Sequence, residues 1–207
     1  MSAKNKKLIT TPFSKENPII VQVLGICSCL AVTVKLQPAV VMALSVTVVV
    51  MMSNLFISLL RNTIPPRIRI IVQLVVVAMF VILVDQFLKA FAYDVSKQLS
   101  VYVGLIITNC IVMGRLEAFA MSNKPLPSLL DGLGNGIGYG IILIIVGFVR
   151  ELFGFGTLWG YKVLPDSFYS IGYENNGLMV MPAMALILVG IIIWVHRNKN
   201  KDLVENE

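Results

Sequence analysis

Charge is missing from most of this chain, and it is missing in blocks. Six stretches contain no Asp, Glu, Lys, Arg or His: residues 17–34, 36–60, 70–84, 98–114, 132–149 and 175–195. Together they hold 114 of the 207 residues. A helix crosses the hydrocarbon of a bilayer with about 20 apolar residues, in a range of roughly 17–25. Five of the runs meet that length as they stand, and the third meets it by continuing past Asp85 to about Ala92. Hydrocarbon offers the backbone no partners, so each crossing must close its own hydrogen bonds, as a helix does. The expected fold is an all-α polytopic membrane protein of six transmembrane helices, with no separate soluble domain. Composition agrees: 57% of residues are hydrophobic and only 14% are charged, against roughly 25% charged in a soluble domain. A soluble enzyme, a disordered chain and a nucleic-acid binder are excluded as classes.

The positive charges orient the spans. Six crossings put both termini on one side. The N-terminal segment (Lys4, Lys6, Lys7, Lys15), the second connection (Arg61, Arg67, Arg69), the fourth (Arg115, Lys124) and the C-terminal segment (Arg197, Lys199, Lys201) carry 12 cations on that side. Lys35, Lys89, Lys97, Arg150 and Lys162 leave 5 for the other. The positive-inside rule then places both termini in the cytoplasm. No small-residue cleavage pattern follows the first apolar run, so that run reads as retained. Pro65-Pro66 makes a stiff turn after span two. The loop at about 152–177 is rich in aromatic residues, Phe153, Phe155, Trp159, Tyr161, Phe168, Tyr169 and Tyr173, which suits an interfacial cap.

Two spans carry small or polar residues where hydrocarbon penalises them. Span one has Gly25-Ile26-Cys27-Ser28-Cys29 in its middle, and span four has Gly104 and then Thr108-Asn109-Cys110. Irregular backbone at that depth survives only where protein buries it or a cavity accepts it. Short, interrupted segments at matching places in two halves predict an inverted repeat with its site near the midplane. Each is followed by a long span ending in an arginine: Cys27 precedes Arg61 by 34 residues, and Cys110 precedes Arg150 by 40. Three spans per half turn the second half upside down. The predicted repeats run about 17–92 and 97–196 within a single membrane domain.

The three cysteines, Cys27, Cys29 and Cys110, are odd in number and lie at membrane depth, which argues against a disulfide framework. Cysteine is often simply a small buried hydrophobe. The alternative is thiolate ligation of iron or an iron–sulfur cluster, which usually takes four thiolates. Cys27-x-Cys29 lacks the usual C-x-x-C spacing, so a cluster would have to be shared with a second, similar chain. Gly132, Gly136 and Gly140 recur every fourth residue on span five and predict close helix packing. Asp85 is the only acid expected well inside a span. Intramembrane acids often mark ion paths, although Lys89 at i+4 offers it a structural pair. Asn54 and Asn109 are expected to bond across helices, Arg115 and Glu117 to be interfacial, and His196 to end span six. No nucleotide loop, dinucleotide fingerprint or nucleophile–base constellation occurs.

Asn17-Pro18, Gln22 through Ser28 and Leu30 through Thr33, the stretch Lys97 through Arg115, and Arg150-Glu151-Leu152-Phe153-Gly154 together resemble one membrane-protein family. These segments look like the D subunits of the sodium-translocating NADH:quinone oxidoreductases. The related Rnf electron-transport complexes have a similar subunit. The resemblance runs from about Asn17 to Trp194, and the segment around Cys110 is its most specific part.

The resemblance implies a six-helix subunit of the bacterial cell inner membrane, with spans one and four as half-helices. It implies pairing with a homologous E subunit inside a six-subunit complex whose other members are the A, B, C and F subunits. Iron, or a 2Fe-2S cluster, would be shared between the D and E subunits through one Cys from each half of each. By position those ligands are Cys27 and Cys110, whereas Cys29 departs from the family's pattern. FMN, FAD, riboflavin and quinone would sit on or near other subunits, and NADH chemistry would lie outside this chain. The family's third-span acid falls on Asp85, a candidate place on the sodium path. The expected role is electron relay through the bilayer coupled to sodium export. An Rnf-type subunit, a non-redox inverted-repeat ion carrier and an inert scaffold subunit are the competing readings.

Overall fold

The computed structural model describes residues 17–91, 97, 102–162 and 177–200. The lysines of the N-terminal segment, Lys201, and Phe168, Tyr169 and Tyr173 of the aromatic loop lie outside those residues. In chain order the helices are α1 (Ile26–Val32), α2 (Leu36–Leu60), α3 (Arg69–Phe91), α4 (Val103–Ile107), α5 (Cys110–Arg115), α6 (Pro125–Phe155) and α7 (Pro182–Lys199). A π-helical turn, Leu116–Ala120, follows α5, and a 3₁₀ turn, Gly177–Val180, leads to α7. Among the described residues, three helices are long and apolar enough to cross a membrane: α2, α3 and α6. The segments expected as spans one and four are built from shorter pieces, and α7 has 18 residues.

α2 and α6 form the spine. At the start of α2, the backbone N–H of Leu36 donates to Glu151, near the far end of α6. Toward the other end of α2, Asn54 Nδ2 donates to the Ser128 carbonyl at 3.2 Å, and Ser58 Oγ to the Asn123 carbonyl at 2.6 Å. The pairing runs backward along α6 as it runs forward along α2, so the two helices are antiparallel. The glycines make this contact possible. A Cβ on Gly132 would lie 2.9 Å from the Met51 Cα, one on Gly136 2.8 Å from the Thr47 Cα, and one on Gly140 3.1 Å from the Ala43 Cβ. Side chains at these positions would hold the backbones apart, as in other small-residue membrane interfaces.

α6 begins with Pro125 in its first turn, where a missing N–H costs nothing, and stops at Gly156 in the left-handed conformation (φ +67°). With 31 residues it is about 46 Å long, longer than hydrocarbon requires. It buries Asp131, Arg150 and Glu151 at its two ends. A two-residue hairpin, β1 (Thr157–Leu158) and β2 (Tyr161–Lys162), follows it. Its turn residues, Trp159 and Gly160, both have positive φ, the mirror-image turn that matches strand twist. α3 keeps only a narrow buried edge, Gln73, Val76, Val77 and Val81, while Ile70, Ile71, Val75, Leu83 and Phe87 face outward.

Candidate functional site

The chain reaches α1 without a helix. Residues 17–25 are turns, held in the protein by Asn17, which is 3% exposed. Its Oδ1 accepts from the N–H groups of Ile19 (3.0 Å) and Ile20 (3.2 Å), and its Nδ2 donates to the Gly138 carbonyl of α6 at 3.3 Å. Irregular backbone is thereby satisfied by protein, as membrane depth demands. This lead-in carries strain. Val23 has φ +57°, an unfavourable region for a β-branched residue. Gly25 has φ +80°, and a Cβ there would lie 2.9 Å from Tyr139 Cε2. Glycine is required at position 25 on both counts.

The second approach differs. α4 stops at Ile107, Thr108 Oγ1 turns back to the Gly104 carbonyl at 3.1 Å, and α5 starts at Cys110. Asn109 caps it, its Oδ1 accepting from the Ile111 N–H at 3.3 Å. Cys27 and Cys110 thus each occupy the first turn of a short helix. Their side chains are neighbours, and both are exposed on this chain's surface. Cys29 is fully buried, away from that surface.

Behind the thiols sits a closed polar cluster that the sequence alone did not single out. Ser28, Asn109 and Tyr139 are each 0% exposed. Ser28 Oγ lies 2.8 Å from the Gly25 carbonyl and 2.6 Å from the Tyr139 hydroxyl. Asn109 Nδ2 reaches Ser28 Oγ at 3.2 Å and the Tyr139 hydroxyl at 3.4 Å. Ser28 has one proton, and the Gly25 carbonyl can only accept it. Tyr139 therefore donates to Ser28, and Asn109 donates to both hydroxyls. The sequence did contain a signal, because a tyrosine hydroxyl at membrane depth requires a partner.

Arg150 is the second residue whose place in the site's support the sequence did not reveal. It is 1% exposed, and its acceptors are all neutral. Nε donates to the Met179 carbonyl (3.1 Å), and Nη2 to those of Val180 (2.7 Å) and Met181 (3.3 Å). Nη1 donates to the Leu30 carbonyl (3.3 Å) and to Thr33 Oγ1 (2.7 Å). One guanidinium thus ties the C-terminal end of α1 to the start of α7. A cation is favoured there because the last carbonyls of a helix carry partial negative charge.

Asp85 pairs with Lys89 at 2.6 Å. A second acid, this one buried, lies near the start of a long helix. Asp131 lies in α6, 2% exposed, and pairs with Arg115 while also accepting from Asn135 Nδ2 at 3.1 Å. Arg115 is accordingly part of a largely buried ion pair, its side chain 11% exposed. Glu117 pairs with Arg69 and accepts from Gln73 Nε2 at 3.1 Å. Asn54 and Asn109 both bond across helices, as expected from their depth. His196, near the end of α7, contacts Asn200 through Nε2 at 3.3 Å.

Two thiols are half of the usual four-thiolate set for an iron–sulfur centre. Among the described residues, no group of three or more His, Cys, Asp or Glu gathers around a common point. The donor pair fits one side of a shared centre: both sulfurs are soft ligands, adjacent and open at the surface, where a second chain can supply the remainder.

Comparison with known proteins identifies the family. Residues 5–193 match the family described as "Rnf-Nqr subunit, membrane protein". The D subunit of a Na(+)-translocating NADH-quinone reductase from Psychromonas ingrahamii is 57% identical over 200 residues, covering 97% of this chain and 95% of that protein. Proteins of the same description from Shewanella sp. strain W3-18-1 and Shewanella putrefaciens are 56% identical over the same shares of both chains.

Proposed function

The chain belongs to the Rnf-Nqr family of membrane subunits, and on that premise we propose that it is the D subunit of a sodium-translocating NADH:quinone oxidoreductase. It sits in a bacterial inner membrane as six crossings, in two inverted repeats of about 17–92 and 97–196, with both termini cytoplasmic. The antiparallel course of α2 and α6, the long helix of each half, supports the inversion. The excess of cations in the connections assigned to the cytoplasm supports the orientation.

The observation that carries the proposal is the meeting of Cys27 and Cys110 at an exposed face. The two thiols hold one side of an iron or 2Fe-2S centre, and the homologous E subunit provides the other. Such a centre supplies one-electron transfer in the dry middle of the membrane. This chain binds and orients it: Gly25 and Asn109 bend the backbone so that both sulfurs emerge together, and the α2–α6 spine keeps water and lipid from the polar groups behind them. FMN, FAD, riboflavin and quinone lie on or near other subunits of the complex, and NADH chemistry lies outside this chain. Asp85 is this chain's candidate contribution to the sodium path.

The test is separate replacement of Cys27 and Cys110 by Ala in the assembled complex. Each variant is expected to lose this centre's iron and to lower quinone reduction at least a hundredfold, roughly the loss of about 3 kcal/mol of transition-state stabilisation. Iron and turnover both unchanged would eliminate the relay and leave the carrier or scaffold reading.

A further inference from the structure

We propose that Tyr139 is a positioning residue whose hydroxyl, acting through Ser28 and Asn109, fixes the distance between the Cys27 and Cys110 thiols. The inference rests on the electron-relay reading for its purpose, but not for its geometry. Ser28 follows Cys27 in the chain and Asn109 precedes Cys110, so each thiol has one member of the cluster as its immediate neighbour. The two short helices come from distant parts of the chain. Three contacts hold their first turns in register: Tyr139 to Ser28 (2.6 Å), Asn109 to Ser28 (3.2 Å) and Asn109 to Tyr139 (3.4 Å).

Tyr139 is suited to the hub because it is the member that neither short helix carries. It projects from α6, whose place is fixed by the glycine contacts with α2. Its ring fills the space beside Gly25, and its hydroxyl is the proton donor to Ser28. All three side chains are fully buried, so water cannot replace a lost partner. A pair of thiols gripping half of a shared centre must be held closely, because ligand spacing decides whether the partner's thiols can complete it.

The experiment uses the intact complex carrying Cys29→Ser, stripped of iron with a chelator under reducing conditions. Dibromobimane, which fluoresces once both its arms have alkylated thiols, is read in the linked Cys27–Cys110 peptide isolated from this chain, so that thiols of other subunits do not contribute. Monobromobimane reads each thiol alone. Tyr139→Phe keeps the ring against Gly25 and removes only the hydroxyl. Ser28→Ala removes the other end of the same bond. Tyr139→Phe is expected to slow double alkylation about tenfold, the equivalent of one lost buried hydrogen bond, and Ser28→Ala, which also loses the contacts to the Gly25 carbonyl and Asn109, at least as much. The double variant is expected to stay near the Ser28→Ala factor, not to reach the product of the two, because residues sharing one interaction are not additive. Single-thiol labelling is expected to stay within about twofold of the parent, as loss of a buried hydroxyl leaves the approach to each thiol unchanged.

No change in Tyr139→Phe overturns the proposal, as does a multiplicative double variant. A parallel rise in single-thiol labelling also overturns it, since that marks general loosening. The bimane rates are measured without metal, so they can hold even if the cysteine variants show the iron reading to be wrong. Equally, iron can prove to depend on both cysteines while Tyr139→Phe is silent.

Discussion

At Cys27 the chain starts a helix through a glycine in the left-handed region, with no side-chain cap. At Cys110 it starts one through an asparagine that caps the helix with its own side chain. The far ends differ as well. α1 finishes on Arg150, a cation sent from α6 to neutral carbonyls, whereas α5 finishes in Arg115, a cation of its own that α6 meets with Asp131. The two short helices thus present thiols side by side while sharing almost no local chemistry. What they share is α6. It supplies Arg150 near one end, Asp131 near the other, Tyr139 between them and the Gly138 carbonyl to Asn17. One long helix is the frame on which both thiol-bearing turns are hung, and the first half depends on it more heavily than the second.

That asymmetry predicts where the fold breaks first. Arg150→Met removes the guanidinium that ties the end of α1 to the start of α7. Five acceptors lose a charged donor that is itself only 1% exposed. The expected cost is on the order of 4 kcal/mol, read as the SDS fraction needed to unfold half the chain. Arg150→Lys, with one compact ammonium in place of a planar fork, is expected to recover only part of it. A silent Arg150→Met would mean that α1 is held from its other end alone.

Next in size is the contrast between the glycine turn and the asparagine cap. Gly25→Ala meets both the left-handed φ and the ring of Tyr139 at 2.9 Å, and is expected to cost about 3 kcal/mol. Asn109→Ala loses a helix cap and the bonds to Ser28 and Tyr139 but creates no collision, and is expected to cost about 1–2 kcal/mol. Equal losses in the same unfolding titration would show the two helix starts to be mechanically alike and would remove the asymmetry.

The same contrast explains what could be read from the sequence. α2 coincides with the charge-free run 36–60 end for end, and α3 passes through Asp85 to Phe91, because an apolar run with one paired acid is still a helix. The run 132–149 falls short of α6 at both ends, since Asp131, Arg150 and Glu151 are charges that find partners inside the protein. Counting charges treats every ionised residue as a span's end and cannot see a partner that arrives from 16 or more than 100 residues away. The cysteines were legible because small and polar residues interrupt their runs. Tyr139 was not, because it stands among glycines whose spacing has a sufficient explanation in the packing of α6 on α2. Arg150 and Asp131 both pass for the edges of a span, for one reason: the groups that neutralise or accept from them are not sequence neighbours.

The smallest expected stability effect lies at Asp85, and it is the one that separates a brace from an ion path. Asp85 and Lys89 share a helix turn, with the lysine side chain 46% exposed and the aspartate 14%. A partly exposed pair of this kind contributes about 0.5 kcal/mol or less, so Asp85→Asn and Lys89→Gln are expected to unfold almost as the parent does. Asp85 also faces a cavity of about 10 Å³ with Ser45 and Ile106, the latter on α4, next to the Asn109 turn. That space is near the lower limit for a single water. If the pair is only a brace, the two variants behave alike. If Asp85 serves the sodium path, they diverge: Asp85→Asn lowers sodium-stimulated turnover, and Lys89→Gln, which frees the carboxylate for a cation, preserves or raises it. Turnover measured across a sodium titration in the assembled complex decides between them, and matching curves would remove Asp85 from the path.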